Sequence, residues 1–256
     1  MHNNTMKRLF LFLLCFFALA GSCALSAARD DVVRMSYVCR DMKGAERWQA
    51  GAEIRNKEGD IYTMVEKVSG FYSGFKGRIS WVAKMEFEST GDNIRPISLD
   101  KRVFDAQGHT LRIERQKFDL ANNIATCTHE DPTRNIRRTR TFRLNKDVVN
   151  RLSLGLYAQK LIASGKTSEK VQMVSEEPNV YDIELSIVDK EEIKVNGKTV
   201  TAYKLSIDPQ LGFFDAVKVF LPKAYAWHSA GPGFAWLRYA GLEGDISSKK
   251  VEVTTR

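Results

Sequence analysis

The chain has 256 residues, 43% hydrophobic and 27% charged, with a formal net charge of +8. It holds no low-complexity tract, no convincing internal repeat and no Pro/Ser/Gly-rich linker, which leaves a globular domain as the default. The positive balance favours anionic partners but says little about fold.

Lys7 and Arg8 precede an apolar run from Leu9 to Ala20, followed by small residues and then Arg29-Asp30-Asp31. A short basic region, a hydrophobic stretch and a small-residue zone read as a secretory signal over residues 1–26. Two exits compete. Cleavage after Ala24-Leu25-Ser26 or Ser26-Ala27-Ala28 releases a soluble periplasmic protein. Ala20-Gly21-Ser22-Cys23 instead resembles a lipobox, with the signal ending at 22 and a lipidated Cys23 as membrane tether. No later segment is apolar enough for a membrane helix. Removing residues 1–26 takes away Lys7 and Arg8 and no acid, so the charge falls from +8 to +6. Residues 27–256 then form a single domain.

Most of that region alternates with the period of strands. Val33, Met35 and Tyr37 alternate before a turn at Gly44, and Ile61–Val65 leads to Gly70. Ile79 to Phe87, with Trp81, Val82 and Met85, follows Gly77. Such runs place one face in a core and the other in water. Asp60, Gly91-Asp92-Asn93, Gly108 and Asn122-Asn123 punctuate them as turns.

One helix is expected between the halves, over Val148–Ala163, capped by Asn145 or Asp147 and ended by Ser164-Gly165. Beyond it Tyr181, Ile183, Leu185 and Ile187 alternate cleanly with polar residues, and Asn196-Gly197 is the strongest hairpin signal in the chain. The simplest assembly is mainly β: a single curved antiparallel sheet or open barrel, with the central helix packed across it.

The order of these elements resembles the DUF3108 family of exported bacterial envelope proteins. The resemblance rests on the Tyr37 strand with its glycine turns, the Val149–Leu154 helix segment and the Asn196-Gly197-Lys198 hairpin before Tyr203. It ends on Val217–Pro222 and Tyr239-Ala240-Gly241-Leu242. It implies a predominantly antiparallel β domain and brings no activity with it.

Chemistry is sparse. Cys39 and Cys127 are the cysteines certain to remain after export, and an oxidising compartment permits them to pair. Cys127-x-His129 lacks the further ligands a metal needs, so neither metal nor cofactor is expected. His228 and Ser229 are adjacent without an orienting carboxylate, and there is no Gly-x-Ser-x-Gly elbow or phosphate loop, so no catalytic residue is assigned. Export and the lack of a reading motif argue against nucleic acid.

What remains is a set of ligand-binding candidates. Phe71, Tyr72 and Phe75 form an aromatic turn, while Trp227, His228, Phe234 and Trp236 surround a glycine-rich loop. Arg137, Arg138 and Arg140 lie in the densest basic group. Export, rings and charge together predict a non-enzymatic envelope protein that binds a lipid, an anionic amphiphile or a glycan. The alternatives are a structural or protein-interaction module of the envelope and, behind it, an exported hydrolase.

Overall fold

The computed structural model describes residues 32–91, 93–210, 222–244 and 248–256. The signal segment, Cys23, Phe213-Phe214 and most of Val217–Pro222 lie outside these residues.

The alternating runs form strands in chain order. They are β1 (Val33–Asp41), β2 (Glu46–Glu58), β3 (Ile61–Phe71), β4 (Arg78–Thr90), β5 (Asn93–Asp105), β6 (Thr110–Asp119), β7 (Ile124–Asp131) and β8 (Ile136–Arg143). After these come β9 (Val148–Asn150), helix α1 (Leu154–Ala163), β10 (Ser168–Val174), β11 (Val180–Val195) and β12 (Lys198–Pro209). The chain closes with β13 (Ala224–Ser229), β14 (Trp236–Leu242) and β15 (Lys250–Thr255). Asn196 and Gly197 take φ of 51° and 76°, the left-handed pair that the predicted hairpin needs.

All the strands belong to one sheet, ordered β8-β7-β6-β5-β4-β3-β2-β1-β15-β14-β13-β12-β11-β10-β9. Every pairing is antiparallel except β9 with β10. The expectation of a curved sheet or open barrel is therefore overturned. The ladder runs once from β8 to β9 and stops, giving an open, unclosed sheet. Closure would require the two terminal strands to pair. One of them carries four arginines and the other is three residues long, so they offer each other little.

The helix also differs from its prediction. Val148 and Val149, both β-branched, pair with β10 as strand, and Asn150 turns the chain by accepting the amides of Leu152 and Ser153 at 3.0 Å each. Only Leu154–Ala163 is helical, and it packs beside β5 and β9 rather than across the middle of the sheet. Its end is as predicted: Gly165 at φ 72° donates to Ile162 O.

The main core draws on β1–β5, α1 and β10–β15, with Trp48, Met64, Trp81, Phe87, Leu152 and Tyr239 among its fully enclosed members. Side chains from both arms of the ladder thus meet in one cluster. Within it runs a polar seam. Arg151, between β9 and α1, is 3% exposed and donates to Glu66 of β3, itself 1% exposed. The same guanidinium pairs with Glu176 Oε1, between β10 and β11, at 3.2 Å. Truncating one member of such a buried pair leaves an uncompensated charge, at a cost of about 3–5 kcal/mol. Arg151→Met should lower the urea unfolding free energy by about that much. A loss comparable to an exposed pair, below about 1 kcal/mol, would contradict this role.

Candidate functional site

The aromatic turn begins where β3 ends. Gly70 holds φ 148°, and a Cβ there would fall 2.3 Å from Arg47 O, so no side chain fits against β2. The following loop folds back as Phe75 N donates to Tyr72 O at 3.3 Å. One carboxylate latches it. Glu243, at the end of β14, is fully buried and accepts Arg47 Nε at 2.8 Å and Nη2 at 2.7 Å, Trp48 Nε1 at 2.9 Å, and Ser73 N at 2.7 Å. The Ser73 hydroxyl donates to it as well, and Tyr72 Oη donates to the Glu243 carbonyl at 2.6 Å.

The latch sets the rings. Tyr72 stands edge-on to Trp81 at 5.2 Å, and Phe75 lies 6.4 Å from Tyr72 with the Arg112 guanidinium 5.1 Å from its own centre. Tyr72 and Phe75 therefore seal the core, while Phe71 is left 52% exposed. Beside it opens a groove of about 410 Å³ lined by Arg47, Phe71, Tyr72, Ser73, Phe75 and Lys249, with glycines 74, 77 and 244 and Ser248 completing it. An exposed ring beside cationic groups can hold an apolar chain with an anionic end.

The remaining candidates lie elsewhere. Trp227 is buried and donates Nε1 to Glu191 at 2.7 Å. Trp236 is buried edge-on to Tyr37 at 5.2 Å, and Phe234 packs on Tyr203 at 6.2 Å. His228 is fully enclosed, with Nδ1 3.0 Å from Phe234 O, and burial pushes its pKa down to about 4. It is neutral at pH 7. This hairpin packs against its own neighbours and presents no open aromatic surface. Arg137, Arg138 and Arg140 sit on β8, and the cation that touches a loop ring is Arg112, which the sequence reading passed over. Cys39 and Cys127 are buried in separate core clusters and are not joined by the disulfide the sequence allowed. Burial pushes the Cys127 thiol up to about 12. Cys127 and His129 share the inward face of β7, yet among the described residues no cluster could hold a metal.

Sequence reasoning also missed a row of charge on the inward face. Across β3 to β7, directly opposed residues run Glu66, Ala83, Lys101, Glu114 and His129. Lys101 Nζ lies 3.5 Å from Glu114 Oε2 and 2.5 Å from Glu176 Oε1, and Trp81 Nε1 donates to Glu66 at 2.8 Å. Among the described residues neither Glu114 oxygen has a hydrogen-bond partner. The signal was present: Glu66 falls in phase with Met64 and Val68, and Lys101 with Leu99 and Val103. A charge at an apolar position of an alternating strand marks a buried polar contact.

No family model matches the chain, and no curated protein does. Among solved structures it is similar to a β-barrel-like protein of domain of unknown function DUF1849 from Brucella abortus. That match has a TM-score of 0.51 at 8% identity, covering 90% of this chain and 98% of the other. A putative exported protein with a YmcC-like fold from Bacteroides fragilis is more distant. It has a TM-score of 0.32 at 7% identity, covering 94% and 98% of the two chains. The first likeness is one of fold alone, and the second is too remote to carry an argument. The chain is a β-rich protein whose specific activity none of these likenesses names, and the DUF3108 resemblance stays a pattern of spacing.

The buried row has a pH signature. Burial, then the neighbouring Glu176 carboxylate, raises the Glu114 pKa to about 7, while Lys101, Arg112 and Arg151 pull it back. Burial opposes ionisation of Glu176 too, but Lys101 and Arg151 hold that carboxyl below its usual range. A carboxyl raised on folding contributes stability that is complete below its unfolded pKa, near 4.5, and lost as pH rises to about 7. His228, depressed on folding, acts with the opposite sign over part of this range, so the test is a difference: from pH 5 to pH 8 the urea unfolding free energy of Glu114→Gln should fall less, or rise more, than that of the parent chain. Parallel profiles for the two proteins would contradict the assignment.

Proposed function

We propose that this chain is an exported, non-enzymatic protein of the bacterial cell envelope that binds an anionic amphiphile in the groove beside Phe71. Export rests on the leader read in the sequence, which yields either a soluble periplasmic form or one tethered through Cys23. Binding rests on one observation: Phe71 is half-exposed at the end of β3, beside a loop that the buried Glu243 latches, with Lys249 and Arg47 at the rim. Ordering a loop in advance removes part of the entropy that association would otherwise cost.

The ligand's chain would lie along Phe71 and its anionic end would face Lys249, the exposed cation of the lining. Arg47 contributes less to this end, because Glu243 already neutralises it through a paired hydrogen bond. The arginines of β8 have no part in the groove. The buried tryptophans of the β13–β14 hairpin serve packing.

Dodecyl phosphate and the neutral dodecanol separate the two contributions in a calorimetric titration. The phosphate should bind more tightly than the alcohol, and Lys249→Glu should abolish that preference. Phe71→Asp removes an apolar contact worth roughly 1.5 kcal/mol, so it should weaken both ligands at least tenfold without lowering the unfolding midpoint. Uptake unchanged in both variants would contradict the reading.

A further inference from the structure

The basic group the sequence singled out takes no part in the groove, and its place in the fold gives it a different use. Strand β8, Ile136 to Arg143, is the outermost strand at one end of the ladder and pairs only with β7. Its second edge therefore carries backbone N–H and C=O groups that no strand among the described residues meets. The opposite end of the sheet, β9, is three residues long and buried, so β8 is the long open edge.

This edge is exposed and pre-ordered. Residues 137 to 141 are all exposed, and the strand is held straight on β7 by paired threonines. Thr128 meets Thr139 at 3.0 Å, and Thr126 meets Thr141 at 3.3 Å. An added chain would find an extended template and would need to order only itself. The strand contains four arginines and no acid. Arg137 and Arg143 share one face with Thr139 and Thr141, and Arg138 and Arg140 point to the other, as alternation requires. Arg137 is 73% exposed and only 3.7 Å from Glu130, while Arg140 turns toward Asn179 Oδ1 at 2.7 Å.

The charge pattern selects among occupants. A second copy of the chain, pairing β8 with β8, would set arginines against arginines, and like charges on adjacent strands repel. An anionic membrane surface would meet the arginines of one face and leave the other pair unmatched. An extended acidic segment satisfies both faces at once: its backbone completes the open edge, and its carboxylates alternate to Arg137 and Arg143 on one side and Arg138 on the other. The same arginines keep the edge from pairing with itself, as edge strands commonly require.

We propose that β8 is a docking edge for an acidic, extended segment of a partner protein, which adds to the sheet as a further antiparallel or parallel strand. This surface is separate from the amphiphile groove, and its test does not depend on that reading.

The probe is a fluorescein-labelled ten-residue peptide of Glu-Glu pairs separated by Val-Thr, which sets carboxylates on both faces of a strand, followed by anisotropy against the full mature chain. Saturable binding that weakens as salt rises is expected. The same peptide with proline in place of each Val and Thr keeps its charge but loses those amides, and should bind at least tenfold more weakly. Arg143→Glu and Arg138→Glu, on opposite faces, should each weaken the unmodified peptide at least tenfold, with circular dichroism and the urea midpoint unchanged. Equal binding of the proline peptide would reduce the site to bulk charge and overturn the proposal. So would insensitivity to Arg138→Glu, or β8-dependent binding to phosphatidylglycerol vesicles without peptide binding.

Discussion

The carboxylate of Glu243 is the contact on which the exposed part of this protein depends. A fully buried charge is tolerated only when donors surround it, and Glu243, at the end of β14, has them from two segments: Arg47 and Trp48 of β2, and Ser73 of the loop after β3. The contacts reach across 196 residues of the 256-residue chain, which makes the latch a tertiary rather than a local feature. Because the donors include the Ser73 amide, the backbone of the aromatic loop is fixed along with its side chains. Tyr72 and Phe75 are then committed to the core and Phe71 to solvent.

A second buried set holds the two arms of the sheet. The ladder does not close, so hydrogen bonds along its terminal edges contribute nothing to joining them. The apolar cluster supplies most of the adhesion, and the seam of Glu66, Arg151, Glu176 and Lys101 fixes which residues face one another. Buried ion pairs are weak sources of net stability, because desolvation offsets their attraction. Their effect is on register: moving either arm by one residue would strand a charge among apolar side chains. Trp81 sits between the two systems, with Tyr72 at its edge and the Lys101 ammonium 4.9 Å from its ring.

Local features of the fold were legible in the sequence. The alternation from Tyr181 to Ile187 and the Asn196-Gly197 hairpin appear as read, because a period of two and a left-handed turn are properties of a few adjacent residues. The predicted helix was too long at its start because Val148 and Val149 find a strand partner in β10, more than twenty residues later. Sheet closure was misjudged for a similar reason: it depends on whether two distant strands can pair, and the arginines of β8 decide that. In the site, the glycine-flanked rings of Phe71–Phe75 announced an aromatic turn, yet the latch lies 170 residues away from Ser73 and leaves no local trace. Trp236 looked like a loop contact but faces the main core from β14, whereas Trp227 lies out of phase with the inward Ala224 and Ala226 of β13 and is covered by a separate cluster with Ile193 and Val195, which local alternation does not reveal.

The protein thus presents two surfaces of different character, one a small groove with a single uncovered ring beside a loop latched by the buried Glu243, the other an extended basic edge paired on β7. The claim that ties the structure to binding is that ligand enters at Phe71 and not at the packed aromatic hairpin. A fatty acid carrying a diazirine in its chain tests this directly, with photolysis followed by peptide mapping of the labelled chain. The label should fall on Phe71–Gly77 and on the segment around Lys249. Label concentrated on Trp227–Trp236, or scattered without preference, would contradict it.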